Sequence, residues 1–162
     1  MAILFIGKRF YTNRDAFNES YGRIYQLPWW WAHENVPTRL WMVDYHGRKN
    51  MYKRDGDLQV ISTPVRNLAV LWRYLREVWR RNRFKTVPDI VIASGDCYIG
   101  LMAYRLARQL GASFFFDVYD KYDEFGAYRQ VVGFDPFRFL LTRADACFFA
   151  SNLLMDDLGA NV

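Results

Sequence analysis

The sequence predicts an α/β protein of the Rossmann-like, doubly wound class, with a mainly parallel sheet and helices on both faces. Two observations lead to this prediction. Unbroken apolar runs of strand length recur along the chain, as is typical of strands buried on both faces. Segments with helical spacing of apolar residues lie between these runs. Because a helix-length crossover returns the chain to the same end of the sheet, the strands that it joins must be parallel.

The first half of the chain begins with a predicted strand at 3–7, an apolar run that ends in a glycine turn. The region 18–35 should form a kinked or broken helix, because Pro28 removes a backbone donor in mid-helix. A second strand follows at 39–44. The segment 45–56 after it is polar and is predicted to be a loop.

The second half repeats the alternation of strand and helix. Further strands are predicted at 58–63, 89–94, 113–119 and 146–151. One helix should span 67–83, with its apolar positions toward the sheet. The next helix, 99–110, has Asp96 as N-cap and Gly111 as C-terminal stop. These signals place a parallel strand–helix–strand unit around the second helix.

Length and composition fit a single domain over 1–162, since 52% of the 162 residues are hydrophobic and can form one continuous core. The net charge of +5 suits a polyanion, a phosphorylated small molecule, an anionic membrane surface, or a solvated surface with no particular partner. The two cysteines are expected to be reduced thiols. The start does not resemble a signal peptide and there is no membrane-length apolar run, so we expect a cytoplasmic, soluble or peripheral protein.

The loop 8–23, after the first strand, is the first candidate site. Ligands of doubly wound sheets bind at the carboxyl ends of the strands, where the strand order reverses. A glycine just before the next helix would let backbone amides face a phosphate, or it would only permit close helix packing. Without a GxGxxG or Walker-type motif, neither a dinucleotide nor a P-loop site is supported. The candidate substrate-binding residues here are Arg14, Tyr21, Gly22 and Arg23.

The turn after strand 89–94 is the second candidate. Ser94, Gly95 and Asp96 lead into the helix 99–110 and should point toward the same crevice. The alternative is an ordinary N-cap preceded by a turn glycine.

The segment 114–124 changes abruptly from an apolar strand to a group of ionisable residues. Carboxylates at a strand's carboxyl end can bind sugar hydroxyls or transfer protons. Asp120 is the candidate catalytic residue, with a surface turn as the alternative. Asp117 lies within the apolar run and would need a buried partner, such as a backbone amide or an arginine. The candidate substrate-binding residues here are Tyr119, Lys121 and Asp123.

Helix 67–83 carries a predicted basic stripe. Its members are Arg73, Arg76, Arg80 and Arg83. The stripe could rest on anionic lipid headgroups, or it could be the solvated face of an outer helix. Neither His33 nor His46 has a catalytic or metal-ligand partner at short spacing, so no metal site is predicted.

Three motifs resemble a known family. They are the Pro-Asp-hydrophobic strand at 88–93, the strand 116–120 ending in Tyr-Asp, and the Ala-Asp-x-hydrophobic-Ser strand at 144–151. Over nearly its whole length the chain resembles the N-terminal, acceptor-side domain of family 4 glycosyltransferases, which have the two-Rossmann (GT-B) fold. It departs from the family where a Gly-Gly pair is replaced by Tyr21-Gly22-Arg23, and where a frequent histidine is replaced by Tyr119 or Asp120.

The resemblance implies a retaining transfer of a sugar from a nucleotide-sugar donor to an acceptor hydroxyl, with no required metal and no cofactor in this domain. It implies a C-terminal Rossmann-like partner domain that grips the donor, so this fragment alone is expected to be inactive. We expect a glycan or lipid-linked acceptor, as in surface polysaccharide or glycolipid synthesis. The alternative is a non-catalytic α/β module for a small phosphorylated ligand. A nucleic-acid-binding domain is disfavoured, because the aromatic residues mostly occupy predicted core positions.

Overall fold

The computed structural model describes residues 1–11, 13–84, 87–120 and 133–159, with side chains described at all of these but 67, 80–84, 157 and 159. In chain order the strands are β1 (Ile3–Lys8), β2 (Phe10–Tyr11), β3 (Arg14–Asp15), β4 (Thr38–Asp44), β5 (Met51–Asp55), β6 (Leu58–Pro64), β7 (Ile90–Ser94), β8 (Ser113–Val118) and β9 (Ala146–Phe149). The helices are α1 (Ala16–Glu19), α2 (Arg23–His33), α3 (Ala69–Phe84), α4 (Cys97–Leu110), α5 (Pro136–Arg143) and α6 (Asn152–Gly159). The six strand predictions are confirmed.

Within the described residues the main sheet has seven strands, in the order β5-β6-β4-β1-β7-β8-β9. All neighbours are parallel except β5 and β6. The chain builds outward from β1 in one direction through β4 and β6, and then returns to build in the other direction through β7. This reversal confirms the doubly wound prediction and places a crevice at the carboxyl ends of β1 and β7.

Helices cover both faces of the sheet, as predicted. On one face α1 and α2 pack on side chains such as Phe5, Leu40 and Ile92. On the other face α4, α5 and α6 cover side chains that include Trp41 and Phe116. Because successive strand residues point to opposite faces, both cores draw on the same strands, which explains the unbroken apolar runs.

The prediction of a loop over 45–56 is wrong in its second half, where β5 pairs with β6 in antiparallel orientation. Met51, Lys53 and Asp55 are half-buried and alternate with the exposed Tyr52 and Arg54. An edge strand has one free side and can carry charged residues. Because β5 contains no apolar run, the sequence did not predict this strand.

The helix predicted to be kinked or broken over 18–35 is not broken at Pro28, because α2 is continuous from Arg23 to His33. The proline lies in the second turn, so only one backbone hydrogen bond is lost. Pro28 is also buried against the sheet, which offsets part of that cost.

Helix α3 is oriented differently from the prediction, because its apolar positions do not all face the sheet. Leu71 and Leu75 are exposed, whereas Glu77 is buried. Arg39 Nη1 lies 2.9 Å from one carboxylate oxygen of Glu77, and Arg73 Nη2 lies 2.6 Å from the other. Two cations around one carboxylate make the burial of this charged group tolerable.

This orientation also corrects the predicted arginine stripe. Arg73 points inward to Glu77 and is almost fully covered, so it does not belong to a solvent-facing stripe. Arg76 is exposed as predicted. The side chains of Arg80 and Arg83 lie outside the described residues.

Candidate functional site

The loop that follows β1 is held to the sheet by Arg9, a buried arginine that is not among the predicted site residues. Its guanidinium binds Asp15 through two nitrogens, at 2.8 and 2.6 Å, and Asp44 at 2.9 Å. Burial alone would raise the pKa of Asp15, but its hydrogen bonds from Arg9 and the charge of Arg9 lower the pKa below its ordinary value. The hairpin of β2 and β3 is therefore fixed against the end of β4.

The second carboxylate oxygen of Asp44 accepts hydrogen bonds from the backbone. The amides of His46 and Gly47 donate to this oxygen at 2.8 and 2.7 Å. A buried aspartate at the end of an apolar strand, followed three residues later by glycine, is a signal that the sequence does contain. Its partner Arg9 is far away along the chain and could not be paired with it from spacing.

The predicted residues Arg23 and Ser94 come together on Asp117. Arg23 Nη2 lies 2.8 Å from one oxygen of this fully buried carboxylate, and the Ser94 hydroxyl donates to the other at 2.7 Å. Burial raises the pKa of Asp117, and the Ser94 hydrogen bond and the Arg23 charge oppose that rise. The structure thus supplies the buried partner that Asp117 requires, and it ties the start of α2 to the ends of β7 and β8.

The turn between β7 and α4 also uses its polar atoms within the protein. Asp96 caps α4 by accepting hydrogen bonds from the amides of Tyr98, at 2.7 Å, and Ile99, at 3.2 Å. Its other oxygen accepts one from the Tyr45 hydroxyl at 3.1 Å. Gly95 has a φ of +82°, and a Cβ atom there would lie 3.2 Å from Cδ1 of Ile24. Both residues therefore have structural reasons for their identity.

Asp120, the candidate catalytic residue, lies beside two tyrosines. The Tyr11 hydroxyl is 3.5 Å from Oδ2 of Asp120, and the Tyr11 ring meets the Tyr119 ring edge to face with centroids 4.4 Å apart. Burial, followed by the charge of Asp120, raises the pKa of Tyr11 well above its ordinary value. Tyr11 therefore keeps its proton and can donate it in a hydrogen bond.

A shallow, open pocket with a cavity volume of about 10 Å³ lies between these tyrosines and the start of α2. The opposite wall contains Arg14, Tyr21, Gly22 and Arg23. The Arg14 guanidinium lies 3.5 Å from the Tyr21 ring centre, and its charge is paired with Glu19 at 2.6 Å. The predicted residues Lys121 and Asp123 lie outside the described part of the chain.

Gly22 is the N-cap of α2, at φ 82° and ψ 164°, and makes no side-chain capping bond. No atom lies within 4 Å of the position that a Cβ would take. The alternative that this glycine only permits close helix packing is therefore wrong, because the space beside it is open. Its backbone conformation, which side-chain-bearing residues rarely adopt, accounts for the glycine.

The pocket combines aromatic rings with two arginines, which suits a polar ligand with a ring face and an anionic part. Asp120 lies next to the pocket through its contact with Tyr11. Among the described residues, no group of three or more His, Cys, Asp or Glu side chains is placed to hold a metal ion. Within the same residues, no helix has the length and apolar character needed to cross a membrane.

No family model and no curated protein matches the chain. Solved structures do match its fold. A lipopolysaccharide outer core galactosyltransferase, WaaB in its apo form, aligns with a TM-score of 0.55 and 16% sequence identity. An E. coli glycosyltransferase described as trehalose-6-phosphate, bound with UDP-2-fluoro glucose, aligns with a TM-score of 0.50 and 12% identity.

Both alignments cover 99% of this chain, but they cover only 42% and 43% of the two matched chains. The chain therefore spans less than half the length of the proteins that it matches. At these sequence identities the likeness shows the fold: the chain has the Rossmann-like α/β fold found in GT-B glycosyltransferases.

Proposed function

We propose that the chain is the N-terminal, acceptor-side domain of a retaining glycosyltransferase. The observation that carries the proposal is the pocket at the carboxyl ends of β1 and β8, which Tyr11 and Tyr119 line and next to which Asp120 lies, with its carboxylate 3.5 Å from the Tyr11 hydroxyl. In doubly wound sheets this is where ligands bind. The glycosyltransferase fold of the structural neighbours supports the choice of reaction class.

In this proposal Asp120 is the catalytic residue and contacts the acceptor hydroxyl that attacks the anomeric carbon of the donor sugar. The new glycosidic bond replaces the bond to the nucleoside diphosphate, which leaves and takes up the proton of the acceptor hydroxyl, and the anomeric configuration is retained. Tyr11 donates a hydrogen bond to Asp120 or to the acceptor. The rings of Tyr21 and Tyr119 form the walls against which an acceptor sugar packs.

The opposite wall would face the donor. Gly22 leaves the first amides of α2 uncovered by any side-chain cap, and Arg14, which is paired with Glu19, lies nearby. Helix N-termini and arginines are suited to phosphate oxygens. We propose that a C-terminal Rossmann-like domain supplies the main donor site. Lys121 and Asp123 remain candidate substrate-binding residues. Arg23 and Ser94 act as positioning residues through Asp117.

The neighbours suggest where to begin the search for substrates. One is bound with UDP-2-fluoro glucose, which favours UDP-sugars as the first donors to test. The other is a transferase of the lipopolysaccharide outer core, which favours a glycan or lipid-linked acceptor in surface polysaccharide or glycolipid synthesis.

The test is an assay of the full-length protein with nucleotide-sugar donors and glycan or glycolipid acceptors, following release of the nucleoside diphosphate. Asp120→Asn should lower kcat/KM by about a hundredfold or more, because it removes the carboxylate that contacts the acceptor. Asp57→Asn, at an exposed aspartate outside the pocket, is the matched control and should leave turnover unchanged. Equal turnover of Asp120→Asn and wild type would remove Asp120 from the site, and absence of turnover with every donor would refute the transferase proposal.

A second candidate function, binding of a small phosphorylated ligand without catalysis, uses the same pocket. The uncapped start of α2 at Gly22, with Arg14 beside it, favours this candidate. Calorimetric binding of a nucleoside diphosphate or sugar phosphate, together with absence of turnover for every donor, would select it over the transferase.

A further inference from the structure

Helix α3 presents a row of large apolar side chains to solvent. These side chains are between 46% and 68% exposed. They recur at helical spacing and therefore share one side of the helix. We refer to them as the α3 apolar face, and they are Leu71, Trp72, Leu75 and Trp79.

The outward orientation of this face is fixed by what the other side of α3 does. Val70, Tyr74 and Val78 pack against the core, and the Tyr74 hydroxyl donates to the side chain of Gln109 in α4 at 2.7 Å. Glu77 is held beneath the helix by its two arginine partners. Rotating α3 to bury its leucines and tryptophans would expel this ion-pair cluster. Contiguous exposed apolar side chains of this size mark a surface that another phase or molecule covers.

The charge of the helix indicates what covers the face. The sequence of α3 contains five arginines and one acidic residue, Glu77, whose charge is already met by Arg39 and Arg73. Arg76 is exposed and lines a groove of about 520 Å³ with Trp72 and Tyr52, a tyrosine that is itself exposed. Arg76 therefore places a positive charge next to Trp72 of the apolar face. An anionic surface complements this charge.

We propose that the α3 apolar face binds an anionic lipid bilayer, with the helix axis lying along the membrane plane. Tryptophans favour the boundary between headgroups and acyl chains, and leucines favour the acyl region. An arginine beside them attracts anionic lipids. This differs from an arginine stripe resting on headgroups, because the leucines and tryptophans insert and Arg73 takes no part.

The position of α3 makes this contact compatible with an open crevice. The helix follows β6 almost directly, so Leu68 and Trp72 lie near the carboxyl-end edge of the sheet. The candidate pocket opens at the same edge. A protein bound through α3 therefore keeps this edge close to the headgroups. The membrane proposal does not depend on the transferase proposal, since it rests on α3 alone.

Vesicle co-sedimentation of the full-length protein tests the proposal. The probes are vesicles of phosphatidylcholine alone and vesicles of phosphatidylcholine and phosphatidylglycerol in equal parts. Wild type should bind the anionic vesicles, and Trp72→Gln with Trp79→Gln should weaken this binding by about tenfold or more. Arg76→Gln should weaken it about fivefold. Trp30→Gln is the matched control, since Trp30 is 58% exposed but lies on α2, across the sheet.

The outcomes separate the bilayer from other occupants. Binding lost in the tryptophan pair variant and kept in Trp30→Gln supports the proposal. Wild type that does not bind anionic vesicles, or a pair variant that binds as well as wild type, overturns it. If wild type instead self-associates in analytical ultracentrifugation and the pair variant does not, the face is an interface between copies and the membrane proposal fails. Unchanged Tm values would show that the exposed substitutions leave the fold intact.

Discussion

Removing the positive charge of Arg23 should destabilise the protein through the carboxylate of Asp117. Asp117 is fully buried and has Arg23 as its cationic partner at 2.8 Å. Arg23→Gln leaves that carboxylate with the hydroxyl of Ser94 as its described hydrogen-bond donor. Breaking a buried pair by removing one partner costs about 3–5 kcal/mol. Because the Arg23 side chain is 29% exposed, water screens part of the interaction and the cost falls toward the lower end.

Protonation of Asp117 sets an upper limit on this cost. From an ordinary aspartate pKa of about 3.9, keeping the carboxyl protonated at neutral pH costs about 4 kcal/mol, at about 1.4 kcal/mol per pH unit. If losing Arg23 costs more than this, the folded variant takes up a proton instead. We therefore expect Arg23→Gln to lower the free energy of unfolding by about 2–4 kcal/mol at neutral pH.

The pH dependence identifies the cause. Burial already raises the pKa of Asp117 in the folded state, and loss of Arg23 raises it further. A carboxyl whose folded pKa exceeds its unfolded pKa binds more protons when folded, so stability falls as pH rises from the unfolded pKa to the folded one. The deficit of Arg23→Gln should therefore be small near about pH 4 and grow toward neutral pH.

Urea unfolding of wild type and Arg23→Gln, followed by tryptophan fluorescence across this pH range, measures the deficit. The control is Arg23→Gln with Asp117→Asn, which has no carboxyl to titrate at this position and should lose most of the pH dependence. A deficit of equal size at acidic and neutral pH would refute the reasoning, because the buried charge would then not be its source.

Two further predictions concern backbone strain and the ion-pair cluster under α3. Gly95→Ala should lower the free energy of unfolding, measured in urea, by about 2 kcal/mol, because φ at this position is +82°. Adding Ile24→Val should recover only a small part of this loss, since the left-handed backbone remains strained. Full recovery would show that the contact with Ile24 dominates. Glu77→Gln should lower the free energy of unfolding by about 3 kcal/mol, because two largely covered arginines lose their carboxylate. Glu19→Gln, which breaks an exposed pair, should cost less than about 1 kcal/mol, and equal losses would contradict the burial argument.

The strands were predictable because their signal is local. A strand buried on both faces must be apolar at each position, so β1, β4, β7 and β8 can be recognised from composition alone. The caps of α4 are also local, and the structure has Asp96 and Gly111 at its two ends. β5 was not predicted because three of its five residues are charged, so it contains no apolar run.

The orientation of α3 was not predictable, because helical periodicity defines an apolar face without stating what that face contacts. The sequence contains Glu77 among arginines, which resembles an ordinary solvated helix. The decisive partner, Arg39, comes from β4 and is brought to Glu77 by the topology. A charged residue can thus lie on the buried face of a helix when another element supplies its counter-ion.

The sequence predicted where the candidate site lies, but it did not predict which site residues stabilise the fold and which border the pocket. Strand ends can be located from the sequence, and Asp117 could be assigned a buried partner from the cost of isolating a charge. Two contacts could not be predicted from the sequence, because they join residues that only the fold brings together. They are the pairing of Arg9 with Asp44 and the contact of Tyr11 with Asp120.

The structure separates the carboxyl-end residues into two groups that the sequence could not distinguish. One group, with Ser94 and Asp96, has its hydrogen bonds directed into the protein, where they fix β7, β8 and α4 relative to one another. Arg23 joins this group through its ion pair with Asp117, although it also lines the pocket. The other group, with Tyr119 and Gly22, borders the open pocket. Rigid support beneath an open wall is what a site needs to hold a ligand in one orientation. The first group should therefore govern stability, and the second should govern affinity for ligand.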